Sequence, residues 1–177
     1  MSFLRSEIAA LRQCEHENII RVHDFQENGT FTSKDGRQKQ VTYIVTEFVN
    51  NGELLDYLNT APFSDPIIRY YIRQVLKTIS FMRSRGISHR DLKLDNVALD
   101  VDFNVKVLDF GFAIPEEGRD GTGMVYSCIG TSGYKAPEIE NMTAYRAHEA
   151  DLFAVAVMLF VMKARAYPFD TTKAYDA

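Results

Sequence analysis

The chain has 177 residues, 46% of them hydrophobic, and a formal charge of -4. That is enough for one globular domain with a core of its own, and it argues against disorder. The mildly acidic balance, with no Lys/Arg cluster, speaks against a nucleic-acid binder, which would have to neutralise phosphates. Only two cysteines occur, Cys14 and Cys128, far apart and without metal-type spacing, so the expectation is reduced thiols in the cytoplasm or nucleus. The longest apolar run, Leu152 to Met162, is about half of the ~20 residues a membrane-spanning helix needs. The first residues move straight into a helical pattern without the zones of a secretory signal. No membrane association is expected, and no internal repeat or linker divides the chain.

In chain order, Leu4, Ile8 and Leu11 fall at helical spacing and predict an amphipathic helix from Ser2 to about Gln13, with Glu7 on a neighbouring stripe. Two runs rich in β-branched and aromatic residues, Ile19 to Phe25 and Val41 to Val49, read as antiparallel strands. The polar loop between them carries Asn28-Gly29 and Asp35-Gly36 turn signals. Asn50-Asn51-Gly52 stops the second strand, and Glu53 to Leu58 reads as a short helix. Asp65-Pro66 supplies a cap and a first-turn proline for a long helix, whose stripe of Ile68, Tyr71/Ile72, Val75, Ile79 and Met82 runs on until Gly86. Short strands at Val97–Leu99 and Val105–Leu108 flank a turn at Asp100–Asn104. The apolar run from Leu152 predicts a helix buried on all sides.

The chemistry lies at the ends of those short strands. His89-Arg90-Asp91-Leu92-Lys93-Leu94-Asp95-Asn96 is followed thirteen residues later by Asp109-Phe110-Gly111, and farther on by Gly130-Thr131-Ser132-Gly133-Tyr134 and Ala136-Pro137-Glu138. Taken singly, the aspartates and the asparagine read as loop caps and turn residues. Taken together, the motifs and their spacing resemble a eukaryotic-type protein kinase of the serine/threonine class, and the resemblance covers essentially the whole chain.

The resemblance implies an α+β fold in two lobes. Residues 1–49 would be a remnant of the small lobe with its hinge near Phe48-Val49-Asn50, and residues 50–177 the core of the large lobe. In the family a Gly-rich loop and a strand lysine precede the helix with which this sequence starts, and further helices follow the region of Tyr167-Pro168-Phe169. None of these is in the sequence, so the expectation is the central part of a kinase domain, weak or inactive in this form. Gly118-Arg119-Asp120-Gly121-Thr122-Gly123 follows the Asp-Phe-Gly motif and reads as a mobile loop rather than a phosphate cradle.

The resemblance also assigns roles. Asp91 would receive the proton of the attacking hydroxyl. An ordinary carboxylate, with a pKa of about 3.9, cannot ionise a serine in advance, so its work would be late and positional. Lys93 would offset charge on the γ-phosphate, with Thr131 beside it. Asn96 and Asp109 would be oxygen ligands to the Mg2+ ions that bridge the phosphates of ATP. Thr46 matches the gatekeeper of the adenine pocket, the backbone of Glu47 and Val49 would bond adenine, and Ala98 would form the pocket floor. Glu7 matches the helix glutamate that pairs with the strand lysine. Leu11, Val22, His89 and Phe110 would stack as an apolar column. Asp151 would brace the catalytic loop, and Glu138 would be a buried carboxylate without its usual arginine. Arg90 beside Asp91 suggests regulation by an activating kinase, with Ser127 the best-placed acceptor ahead of Tyr126 and Thr122.

The expected partners are a protein substrate and a regulatory protein. Two other classes compete with this reading: a pseudokinase-like binding module, and a small-molecule phosphotransferase of kinase-like architecture. Ala136-Pro137-Glu138 and Gly130-Thr131, which in the family shape a groove for peptides, speak against the latter.

Overall fold

In the computed structural model, residues 3–118 and 121–169 are described. Ser2, Arg119, Asp120 and the tail from Asp170 lie outside the described residues. Five α-helices and six strands lie among them in an α+β fold, as expected, though two of the strands and one helix were not anticipated.

Helix α1 (Phe3–Gln13) lays Ile8, Ala10 and Leu11 into the core, as its spacing predicts. Strands β1 (Val22–Thr32) and β2 (Gln38–Thr46) form an antiparallel ribbon shifted several residues from the expected positions. The shift has a local cause, because Ile19 and Ile20 pair with Val107 instead of joining the ribbon. The Ile20 N–H bonds the Val107 carbonyl at 3.0 Å, and the Val107 N–H bonds the Asn18 carbonyl at 2.8 Å. Asn28-Gly29 is likewise no turn. The strand runs through it with a register irregularity, and a Cβ on Gly29 would meet the Tyr43 ring at 2.5 Å, so the glycine serves a close approach. The hairpin turns at Asp35-Gly36, where Gly36 has φ +82° and the Ser33 N–H bonds the Arg37 carbonyl.

Helix α2 (Leu54–Thr60) buries Leu54 and Leu58. Helix α3 (Asp65–Ser84) starts one residue earlier than the sequence suggests, with Ser64 at the cap position and Asp65-Pro66 in its first turn. Its buried stripe takes Thr78 where Ile79 was expected; the threonine hydroxyl is satisfied by the Gln74 carbonyl at 2.9 Å. Two-residue strands β3 (Ile87–Ser88) and β6 (Ile114–Pro115) pair with each other, and β4 (Val97–Leu99) pairs with β5 (Val105–Val107). The β4–β5 turn is held by Asp100, whose carboxylate accepts the Asp102 and Asn104 N–H groups.

Helix α4 (Pro137–Glu140) is one turn, and α5 (Ala147–Ala164) packs against α3. Contrary to expectation, α5 is not buried on all sides. Leu152, Leu159 and Phe160 are exposed, since no described element covers that face. Glu138 is half-buried rather than buried, and no ion pair holds it among the described residues.

Candidate active site

The loop after β3 carries the centre. Arg90 has φ +69° and Asp109 has φ +58°, both in the left-handed region that side chains disfavour, so each must be held by its surroundings. Asp151 on α5 holds the first. Its carboxylate oxygens accept the His89 and Arg90 N–H groups, both at 2.7 Å, in a site where Asp151 is only 3% exposed. Burial pushes the Asp151 carboxyl up from its usual range, against the opposing pull of His89 and the two N–H donors. His89, fully buried, bonds the Leu108 carbonyl at 2.9 Å and meets the Phe110 ring edge-on, with centroids 4.9 Å apart. Phe110 is fully buried as well, and Leu11 belongs to the same core with Val22 packed against it. Of the expected apolar column, His89 and Phe110 are thus in ring contact, while Leu11, Val22 and Phe110 share one core.

Four of the residues named from the sequence meet in a hydrogen-bonded cluster. The Thr131 hydroxyl donates to Asp91 Oδ1 at 2.7 Å and receives Lys93 Nζ at 2.9 Å. Lys93 Nζ lies 3.2 Å from Asp91 Oδ2. Asn96 Nδ2 donates to the Asp91 carbonyl at 2.8 Å and to Oδ2 at 3.2 Å. The Asn96 nitrogen is so engaged, and its amide oxygen has no hydrogen-bond donor among the described residues. The Leu108 N–H bonds the Asn96 carbonyl at 2.9 Å, which sets Asp109 one residue from this junction. Asp109 Oδ1 accepts the Gly111 N–H at 3.1 Å, leaving Oδ2 without a donor among the described residues. An amide oxygen and a carboxylate oxygen are the hard ligands a divalent cation such as Mg2+ takes, so this donor set fits one.

Glu7 faces the same centre from α1. Burial raises its carboxyl above the usual range, and the negative charge of Asp109 raises it further; among the described residues no cation pairs with it. A folded pKa above the unfolded value contributes stability in full below about pH 4.3, and that contribution is lost as pH rises through the folded value. Glu7→Gln is therefore expected to raise the melting temperature by about 1–2 °C at pH 7 and to leave it unchanged at pH 4. Thermal melts at the two pH values check this, and an equal change at both would refute the like-charge account.

The hinge residues make no hydrogen bond to the Asp91 cluster among the described residues. Thr46 is exposed at the end of β2, opposite Val22. The Glu47 N–H bonds the Arg21 carbonyl, while the Glu47 carbonyl and the Val49 N–H have no partner among the described residues. Ala98 is buried in β4, opposite Lys106. Lys106 was not anticipated from the sequence. Its ammonium meets Glu47 Oε1 at 2.8 Å, and that oxygen also takes the Arg21 N–H, so the hinge is tied to β5. The only signal for it was a polar residue between two apolar ones in Val105-Lys106-Val107. Asn18 and Gln74 were missed too. The Asn18 amide bonds the Val105 carbonyl at 2.9 Å and Gln74 Oε1 at 3.0 Å, fixing the turn after α1 to the sheet below.

Arg90 reaches into the segment after Asp-Phe-Gly. Its Nε donates to the Phe112 carbonyl at 2.8 Å and its Nη1 to Ser127 Oγ at 2.7 Å. Tyr126 is exposed, and Thr122 accepts the Met124 N–H.

Residues 2–177 match the family described as protein kinase domain, and the chain belongs to that family. It is 33% identical over 166 residues to CBL-interacting serine/threonine-protein kinase 15 of Arabidopsis thaliana, covering 94% of this chain and 37% of that protein. With CBL-interacting protein kinase 30 of Oryza sativa subsp. japonica it shares 33% identity over 170 residues, covering 96% of this chain and 34% of the relative. The chain thus spans about a third of the length of the curated relatives it matches.

Proposed function

We propose that the chain carries the catalytic centre of a serine/threonine protein kinase, transferring the γ-phosphoryl group of ATP to protein hydroxyls. The observation that carries this reading is the Asp91 carboxylate held on both oxygens by Thr131, Lys93 and Asn96. In this reading the substrate oxygen forms a bond to the γ-phosphorus, the bond to the β-phosphate bridge breaks, ADP leaves, and the hydroxyl proton passes to Asp91. Lys93 offsets charge on the transferred group. Asn96 and Asp109 would hold Mg2+, which when bound neutralises phosphate charge. Thr46, the backbone of Glu47 and Val49, and Ala98 are assigned to adenine. Residues 1–49 are read as small-lobe remnant and hinge, and 50–177 as large-lobe core.

The serine/threonine assignment rests on Lys93 with Thr131 and on the printed description of the Arabidopsis relative. A reducing compartment, cytoplasm or nucleus, suits the two free cysteines. A regulatory partner belongs to the reading as well, of the kind the relatives' names record.

Incorporation of labelled γ-phosphate into a generic protein substrate, dependent on Mg-ATP, is the test. Nucleotide binding without any transfer would favour the second reading, a regulatory binding module. One observation supports that alternative: Glu7 has no cation partner among the described residues, and loss of a phosphate clamp can cost ~100-fold or more in rate.

Ser127 is proposed as the phosphate acceptor of the activation segment, because its hydroxyl already lies on the Arg90 guanidinium. A phosphate there would gain a charge-assisted bond. Peptide mapping of active protein should find phosphate at Ser127, and its consistent absence would remove that assignment.

A further inference from the structure

We infer that Tyr145 is a positioning residue that holds the activation segment so that Ser127 meets Arg90, a regulatory role that rests on the assignment of Ser127 above. Tyr145 grips one extended stretch at two points. Its backbone exchanges two hydrogen bonds with Val125, Val125 N–H to Tyr145 carbonyl at 2.8 Å and Tyr145 N–H to Val125 carbonyl at 3.0 Å. Two residues on, its phenol donates to the Ser127 carbonyl at 2.9 Å. The ring that delivers this hydroxyl is buried among Ile114, Val125, Ala136 and Ile139, so the donor has little freedom to wander.

The consequence is a closed ring of contacts rooted at one end of α5. Tyr145 fixes the Ser127 backbone, and Ser127 Oγ takes Arg90 Nη1. Arg90 is itself held through its N–H by Asp151 on α5, six residues beyond Tyr145, which lies just ahead of the helix cap Arg146. The catalytic loop and the activation segment are therefore referred to one short stretch of chain, Tyr145 to Asp151, and hydrogen bonds order the segment before any phosphate is added. A phosphate at Ser127 would strengthen a contact whose geometry Tyr145 has already set.

Tyr145→Phe removes the phenol oxygen and keeps the buried ring. Amide hydrogen exchange of the whole unphosphorylated chain is the readout, with Tyr145→Ala as the comparison that also loses packing. For Tyr145→Phe, exchange about fivefold faster is expected at residues 125–129, the size of one lost neutral hydrogen bond. Rates in 134–139 and along α5 should stay unchanged and the melting temperature should stay within about 2 °C, whereas Tyr145→Ala should loosen all of these regions. Unchanged exchange at 125–129 in Tyr145→Phe, or loosening as widespread as in Tyr145→Ala, would overturn the inference. The exchange is read without phosphate. Failure to find phosphate at Ser127 would thus remove the acceptor assignment and leave this result standing, while a phosphorylated Ser127 with an indifferent Tyr145→Phe would remove this inference alone.

Discussion

Asp91→Asn is expected to lower phosphotransfer at least 100-fold while leaving Mg-ATP affinity within about twofold, since general-base assistance contributes about 10²–10⁴ and the side chain is not among the proposed metal ligands. The substitution is nearly isosteric. An amide at position 91 can turn its oxygen toward Lys93 and Asn96, the two donors on the Oδ2 side, and present its nitrogen to the Thr131 hydroxyl, which rotates to accept. The fold should therefore survive, with a melting temperature within a few degrees of the parent, and the loss can be read as chemistry. The measurement is labelled γ-phosphate incorporation by parent and variant alongside nucleotide binding. Undiminished incorporation would refute the role proposed for Asp91, and loss of nucleotide binding in step with activity would move the defect from proton transfer to assembly of the site.

Asp151→Ala should be the most damaging single change to stability. The carboxylate satisfies two N–H donors of a buried loop whose Arg90 sits in a disfavoured backbone region, so alanine strands both donors and frees the loop to relax. Each unpaired buried donor costs about 1–3 kcal/mol, partly offset because a desolvated carboxylate is removed with them. A net loss of about 3 kcal/mol corresponds to a fall of roughly 6–12 °C in melting temperature for a domain of this size. Asp151→Asn should be milder, since it keeps an acceptor for one N–H while facing the other with a donor. Thermal or denaturant unfolding of the three proteins checks the order, and an alanine variant as stable as the parent would show that the two N–H groups find other partners.

The helices were legible because their cause is local. Ile8 and Leu11, or Ile68, Tyr71, Ile72 and Val75, face one side through the 3.6-residue repeat alone. The first two strands were misplaced because pairing is not local. Nothing in Ile19-Ile20 announces that their partner is Val107, eighty-odd residues away, and nothing in Asn28-Gly29 says that the glycine is there for the Tyr43 ring. Two-residue strands β3 and β6 carry no periodic signal at all. At the candidate site the motif residues stood out by type and spacing, yet Lys106, Asn18 and Gln74 did not, because a lone polar side chain in an apolar run looks the same whether it is solvated or tied to a distant carboxylate or carbonyl.

The order of the longer helices and strands, the family and the motif residues proposed for the chemistry follow from the sequence by itself, since these depend on residue type, short-range periodicity and motif spacing. Which oxygen of Asp91 receives which donor, how Asp151 and Tyr145 brace two loops from one end of α5, and that Glu7 and Asp109 face each other as like charges were decided only by the tertiary structure. Those outcomes depend on angstrom-scale distances between residues far apart in the chain, and only the folded packing sets them.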